Sequence, residues 1–206
     1  MPFITFEGVE GSGKSTQLAR AAEKLRALGE DVFDTREPGG TEIGRKIREI
    51  LMDVSHTHLD PAAEWLLLEA DRRQHVVQAI RPALARGVYV LCDRYSDSTA
   101  AYQAAGRGLD AAGVEFVDAI ARDGVVPDLT LLYDVLPGEG LARARSRDGG
   151  TGRFEAADAA FHERVRLAYL EIARRSPERV RIVPAAGAPD EVFRATWSAL
   201  TKDFSL

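Results

Sequence analysis

Gly8-Val9-Glu10-Gly11-Ser12-Gly13-Lys14-Ser15 reproduces the pattern G-x-x-x-x-G-K-[ST] at every specified position. Working outward, Phe3-Ile4-Thr5-Phe6 before it reads as a short buried strand, and Thr16-Gln17-Leu18-Ala19 after it opens an amphipathic helix. Strand, glycine-rich turn and helix in that order make a cradle for phosphate. The glycines let successive backbone N–H groups converge on one anion, Lys14 adds a mobile positive charge, and the Ser15 hydroxyl is placed to ligate Mg²⁺. The helix N-terminus behind them contributes a partial positive charge. Gly8 to Ser15, with Thr16 next in line, are therefore expected to bind a nucleoside triphosphate.

The rest of the chain continues the alternation that this first unit starts. Strand candidates are Phe3–Phe6, Asp31–Thr35, Val88–Cys92, Leu129–Tyr133 and Val180–Val183, at least three of them apolar enough for burial on both faces. Helices are expected near 14–28, 42–53, 61–85, 110–122, 138–146, 155–175 and 190–201. Gly29 stands where the first helix needs a C-terminal cap, and Asp60-Pro61 is an N-cap acid followed by proline at the first helical position. This order predicts an α/β fold with a mainly parallel sheet. The 206 residues suffice for one domain, 1–206, with the Gly-rich stretch Asp148-Gly149-Gly150-Thr151-Gly152 as a mobile flap.

Composition sets outer limits. With 45% apolar and 29% charged residues the chain is an ordinary soluble type, and its net charge of −5 does not advertise a nucleic-acid partner. Apolar runs fall short of a membrane span, and the N-terminus enters a strand directly, without a secretory pattern. Cys92 is the only cysteine, so no intrachain disulfide can form, and a buried structural thiol is expected. These features together point to the cytoplasm. His56, His58, His75 and His162 show no metal-ligand spacing and read as surface or edge residues, with no zinc site.

Further chemistry gathers at strand ends. Thr35-Arg36-Glu37-Pro38-Gly39-Gly40-Thr41 follows the second strand as a stiff loop that permits close approach to a ligand, though alone it also reads as a plain turn. After the third strand comes Cys92-Asp93-Arg94-Tyr95, where Asp93 suits a water-linked Mg²⁺ carboxylate and Arg94 a bidentate phosphate fork. Ser98, Tyr102 and Gln103 nearby fit a nucleoside pocket. Arg143, Arg145, Arg147 and Arg153 flank the glycine-rich insert, and a lid over about 143–154 could carry them onto phosphates to neutralise developing charge. In the helix beyond Asp60, Trp65, Leu68, Arg72, Val76 and Ile80 share one face that reads mostly as core. Arg72 is its odd member, and the pattern alone favours a side chain reaching solvent.

Taken in order, Gly8–Ser15, Thr35–Thr41, Asp93-Arg94-Tyr95 with Ser98-Thr99, Ala101-Tyr102-Gln103 and Gly106-Arg107-Gly108 resemble the bacterial thymidylate kinases nearly end to end. The resemblance implies a P-loop fold of the nucleoside monophosphate kinase type, with a five-stranded parallel sheet flanked by helices and a mobile lid, and a homodimer. It also implies transfer of the ATP γ-phosphoryl group to dTMP with Mg²⁺, giving dTDP and so supplying dTTP for DNA synthesis. Carried onto this chain, it puts the ATP phosphates at Gly8–Ser15, with Thr16 and Arg143 also on the donor, and Glu10 near the acceptor sugar 3′-hydroxyl. It further implies Arg94 on the acceptor phosphate, and Arg72, Ser98 and Gln103 on the base, with Tyr102 crowding the 2′ position. Pro38 matches a proline that is cis in relatives. Lys14, Arg94, Arg147 and Arg153 are the expected catalytic residues, and Ser15 and Asp93 the metal-linked ones. Where relatives stack an aromatic ring on thymine, this chain has Leu68. The competing readings are a kinase for another pyrimidine acceptor (dUMP, dCMP or a nucleoside) and a non-catalytic ATP-binding module.

Overall fold

The computed structural model describes residues 2–148, 152–154 and 157–204, with 147 and 148 as backbone only. Five parallel strands form one sheet in the order β2-β3-β1-β4-β5. They are β1 (Phe3–Glu7), β2 (Val32–Arg36), β3 (Tyr89–Asp93), β4 (Leu129–Asp134) and β5 (Val180–Pro184). Each lies within a residue of its expected span. The three inner strands are buried along nearly their whole length, whereas β2 and β5 are only partly covered, as sheet edges. Helices pack on both faces. One apolar cluster gathers Ile4, Phe6, Leu25, Leu131 and Val165 among others, and a second gathers Phe3, Val76, Ile80, Val90 and Tyr95.

Helix starts follow their caps. α1 (Lys14–Ala27) begins at Gly13 and closes at Gly29, which holds φ +91°. α2 (Glu42–Met52) is capped by the Thr41 hydroxyl, and α3 (Pro61–His75) by the Asp60 carboxylate. The single helix expected over 61–85 is instead α3, a wider π segment at Val76–Ile80, and α4 (Arg81–Ala85). Pro82 is the physical reason, because it has no N–H to offer the carbonyl four residues back. After β3 the chain forms α5 (Ser96–Thr99) and a second π segment, Ala100–Gly106, where no helix was expected. The remaining helices are α6 (Ala111–Arg122), α7 (Pro137–Asp148), α8 (Ala159–Arg175) and α9 (Pro189–Phe204). α7 thus makes the first half of the expected lid helical, and of the expected flap Gly149–Thr151 lie outside the described residues. No described helix is long and apolar enough to cross a membrane.

Register brings the three functional loops together. Phe6 pairs with Asp93 across β1 and β3, and Arg36 pairs with Asp93 across β2 and β3. The glycine-rich turn, the Asp93-Arg94 turn and the Glu37-Pro38 loop therefore leave adjacent strand ends in one row. In open parallel sheets that is where ligands bind.

Candidate active site

A cavity of about 390 Å³ opens at these strand ends. Glu10, Gly11, Gly13, Lys14, Ser15 and Thr16 line one side, and all eight residues expected at the acceptor line the same cavity. Gly8, Val9 and Ser12 lie behind the wall, with Val9 packed in the core. The loop is pressed closely from behind. A Cβ at Gly11 would stand 1.8 Å from the Gly140 carbonyl oxygen, and one at Gly140 would stand 2.3 Å from the Glu10 carbonyl oxygen. Main chain thus meets main chain where α7 crosses the loop.

Arg94 is thrown into the cavity by a left-handed backbone, φ +72°, that a non-glycine residue adopts only when its surroundings hold it. Its N–H donates to the Phe6 carbonyl at 3.0 Å, and the buried Cys92 thiol donates to its carbonyl at 3.0 Å. The lone cysteine is structural, with this specific bond. The Arg94 guanidinium donates to Ser98, Tyr169, Glu10 and Tyr102 at 3.0 to 3.2 Å. Beneath it the fully buried Glu7 accepts from the Tyr95 N–H, Ser98 and Tyr169. Burial, reinforced by Asp97, pushes the Glu7 carboxyl up to about 7 against the pull of Arg94.

Two neighbours in the loop shift the other way. Burial would raise Glu10, but His162, Arg94 and Lys14 together bring it down to about 2, so it is an ionised acceptor. Lys14 is lowered to about 8 by burial and then by Arg94, with Asp93 and Glu10 opposing. Arg48, from α2, also faces the cavity and donates to the Pro38 carbonyl at 3.0 Å. Burial and then Arg36 lower its pKa, with Arg94 adding to the effect. Arg36, Arg48 and Arg94 thus crowd one end of the cavity and repel one another, an arrangement that an anion relieves. Sequence reasoning missed Arg36 and Arg48, since an arginine on a helix or at a strand end is by default solvated.

Around Arg72 one expectation is corrected outright. Arg72 does not reach solvent: it is 2% exposed and donates to Glu37, Glu69, Asp118 and Thr99 at 2.7 to 2.9 Å. Burial alone would lower its pKa, and the three carboxylates carry it well above the usual arginine value. His75, expected at a surface or edge, is fully buried between Thr35 and Glu37, and His162 is also buried, at 1%. Both sit on helix faces that the strand-end loops cover, which no spacing rule reveals. Leu68 lines the cavity, Gln103 donates to Glu64 at 2.9 Å, and the Glu37–Pro38 peptide is cis.

Arg143 and Arg153 spend their hydrogen bonds and ion pairs on residues outside the phosphate loop. Arg143 donates to the carbonyls of Ala185 and Ala186 at 2.7 and 2.8 Å, and Arg145 is exposed. Arg153 pairs with the fully buried Glu64 at 2.6 Å, a carboxylate that also takes Gln103 and Arg107. The Arg147 side chain lies outside the described residues. Ser15 donates to Asp93, which brings two hard oxygen donors together at the loop. Among the described residues no group of three or more His, Cys, Asp or Glu is placed to hold a metal.

The thymidylate kinase family model matches residues 6–195. A thymidylate kinase of Solidesulfovibrio magneticus is 50% identical over 97% of this chain and 99% of its own length. One of Nitratidesulfovibrio vulgaris is 52% identical over 96% and 95%. Among solved structures, the crystal structure of thymidylate kinase from Ehrlichia chaffeensis superposes with a TM-score of 0.78 at 33% identity, covering 97% of this chain and 98% of that one. With the phosphate loop, the row of strand-end loops and these matches in agreement, the chain belongs to the thymidylate kinase family.

Proposed function

We infer that this cavity is where the chain phosphorylates dTMP to dTDP with ATP as donor, the activity of its family. The observation that carries the reading is the shared cleft: the triphosphate cradle and Arg94 line one cavity, held side by side by the Phe6–Asp93 register. The donor's terminal phosphates lie on Lys14 and the loop N–H groups. Arg94, Arg48 and Arg36 take the acceptor phosphate, which is already ionised at neutral pH and needs no strong base. Catalysis then consists of alignment and charge neutralisation.

Arg72 faces the base as a hydrogen-bond donor whose direction its carboxylate cage fixes, and Gln103 stands beside it. Glu10 accepts from the sugar hydroxyl, with Tyr102 against the 2′ position. Ser15 and Asp93 fit Mg²⁺, an ion that binds hard oxygens and keeps much of its water shell. When bound, the ion neutralises charge on the donor phosphates. Arg147 and Arg153 carry positive charge toward the transferred group once the lid closes, Arg153 leaving Glu64 to do so. The cytoplasm is the compartment that suits a reduced, buried Cys92.

We also read the active species as a homodimer. Leu66 and Val77 on α3 and its π extension, and Phe116 and Ile120 on the adjacent α6, are 47–68% exposed and lie on outward helical faces. The half-exposed Arg73–Asp123 and Arg81–Asp123 pairs tie the end of α6 to α3 and α4 beside that face, which suits a second copy of this chain.

A coupled assay of ADP release with ATP, Mg²⁺ and a panel of nucleotide acceptors tests the reaction directly. Turnover should be highest with dTMP and low with dUMP, dCMP and purine monophosphates. Preference for a purine acceptor, or ATP hydrolysis indifferent to any acceptor, would end this reading.

A further inference from the structure

His162, on the first turn and a half of α8, is 1% exposed, and neither of its ring nitrogens has a hydrogen-bond partner among the described residues. Buried polar atoms are rarely left so, because the loss of water is then uncompensated. The ring packs edge-on to Phe161, at 5.3 Å between centroids, and its Nδ1 faces a single acceptor, Glu10 Oε2, at 3.6 Å. That is longer than an ordinary N–H···O hydrogen bond.

Glu10 has the opposite shortage. Its Oε1 accepts from Arg94 at 3.1 Å and from Tyr102 at 2.7 Å, while Oε2 is 2.8 Å from the same Tyr102 hydroxyl. One hydroxyl proton cannot serve both oxygens. A donor without an acceptor therefore stands a few tenths of an ångström too far from an acceptor short of a donor. Glu10 lines the cavity and His162 does not, so the imidazole lies behind the carboxylate.

We propose that His162 is a positioning residue for Glu10: with its proton on Nδ1, it donates to Glu10 Oε2 when the acceptor nucleotide binds. Two forces bring the pair together. The incoming phosphate takes Arg94 Nη2 away from Glu10, and the like charge of phosphate and carboxylate pushes Glu10 back toward α8. The new bond then holds Glu10 at the acceptor sugar. The proposal rests on the reading that Glu10 and Arg94 meet the acceptor.

His162→Leu and His162→Asn test it by steady-state kinetics with each substrate varied, alongside thermal melting of both variants. The Asn amide nitrogen stands in the place of Nδ1, so Asn keeps the donor and Leu deletes it. His162→Leu should lower kcat/KM for dTMP about tenfold, as loss of a bond to a charged group does, and leave the KM for ATP within about twofold. His162→Asn should recover to within about threefold of the parent. Unchanged dTMP kinetics in His162→Leu, an equal rise of both KM values, or Asn behaving like Leu would each overturn the proposal. Glu10→Gln separates the two levels: it should impair dTMP use by itself and leave His162→Leu little further effect. If Glu10→Gln leaves dTMP use intact, the acceptor role of Glu10 falls and the proposal with it. If Glu10→Gln is impaired but His162→Leu is not, only the proposal falls.

Discussion

At the scale of single residues, Leu68 and Lys14 make opposite demands on an experiment. Leu68 lines the cavity at the end we assign to the base, and brings no ring there. Leu68→Phe should restore stacking on a pyrimidine, worth about 0.5–1.5 kcal/mol, and so lower the KM for dTMP by roughly two- to tenfold with kcat little changed. A comparison of dTMP and dCMP kinetics in that variant measures it. Lys14→Ala removes a charge that acts where negative charge builds, so kcat should fall by about 10²–10³-fold while melting temperature and far-UV circular dichroism stay near the parent. Normal turnover there would remove the loop lysine from the reaction. The place of Lys14 at the cavity wall was legible in the sequence, because its motif is local. The sequence hid the setting of Arg72, whose partners Glu37 and Asp118 come from the loop after β2 and from α6 and join Glu69 of its own helix. A helical stripe gives the direction of a side chain, not what waits there.

At the scale of elements, β1 combines two tasks: it launches the phosphate loop, and its last residue, Glu7, props the Arg94 network. Because Glu7 is raised from 4.5 to about 7, the folded chain binds more protons than the unfolded one between those values. Its contribution to stability is therefore greatest below pH 4.5 and is lost as pH rises through 7, by on the order of 3 kcal/mol. Glu69 and Asp71 are raised for the same cause, burial, and act with the same sign. Glu7→Gln keeps the acceptor for the Tyr95 N–H and should flatten part of the decline between pH 4.5 and 7 in denaturant melts. An unaltered pH slope would show that Glu7 does not bear it. The strands were legible because short β-branched and aromatic runs have few other uses. The helical stretch 96–106 was not, although Ala100, Ala101, Ala104 and Ala105 are strong helix formers. Its polar and aromatic residues drew attention to ligand contact, and both properties hold there at once.

At the scale of the whole molecule, the α/β order and the sheet's parallel character were readable from alternation alone. The pairing of particular strand ends was not, because register is set by packing across the sheet. The α3–α6 face carries the assembly prediction. Phe116→Asp places a charge on the most exposed of its apolar side chains, so light scattering after gel filtration should show a shift from twice the chain mass to about once. A parent protein that already runs at the mass of one chain would refute the dimer. Finally, the abutment of Gly11 and Gly140 ties the donor cradle to the helix that leads toward the arginine-rich segment. At both positions even a methyl group would force the two segments apart, so neither can drift by mutation without the other feeling it. The root of the proposed lid and the proposed seat of the donor have to evolve as a single object.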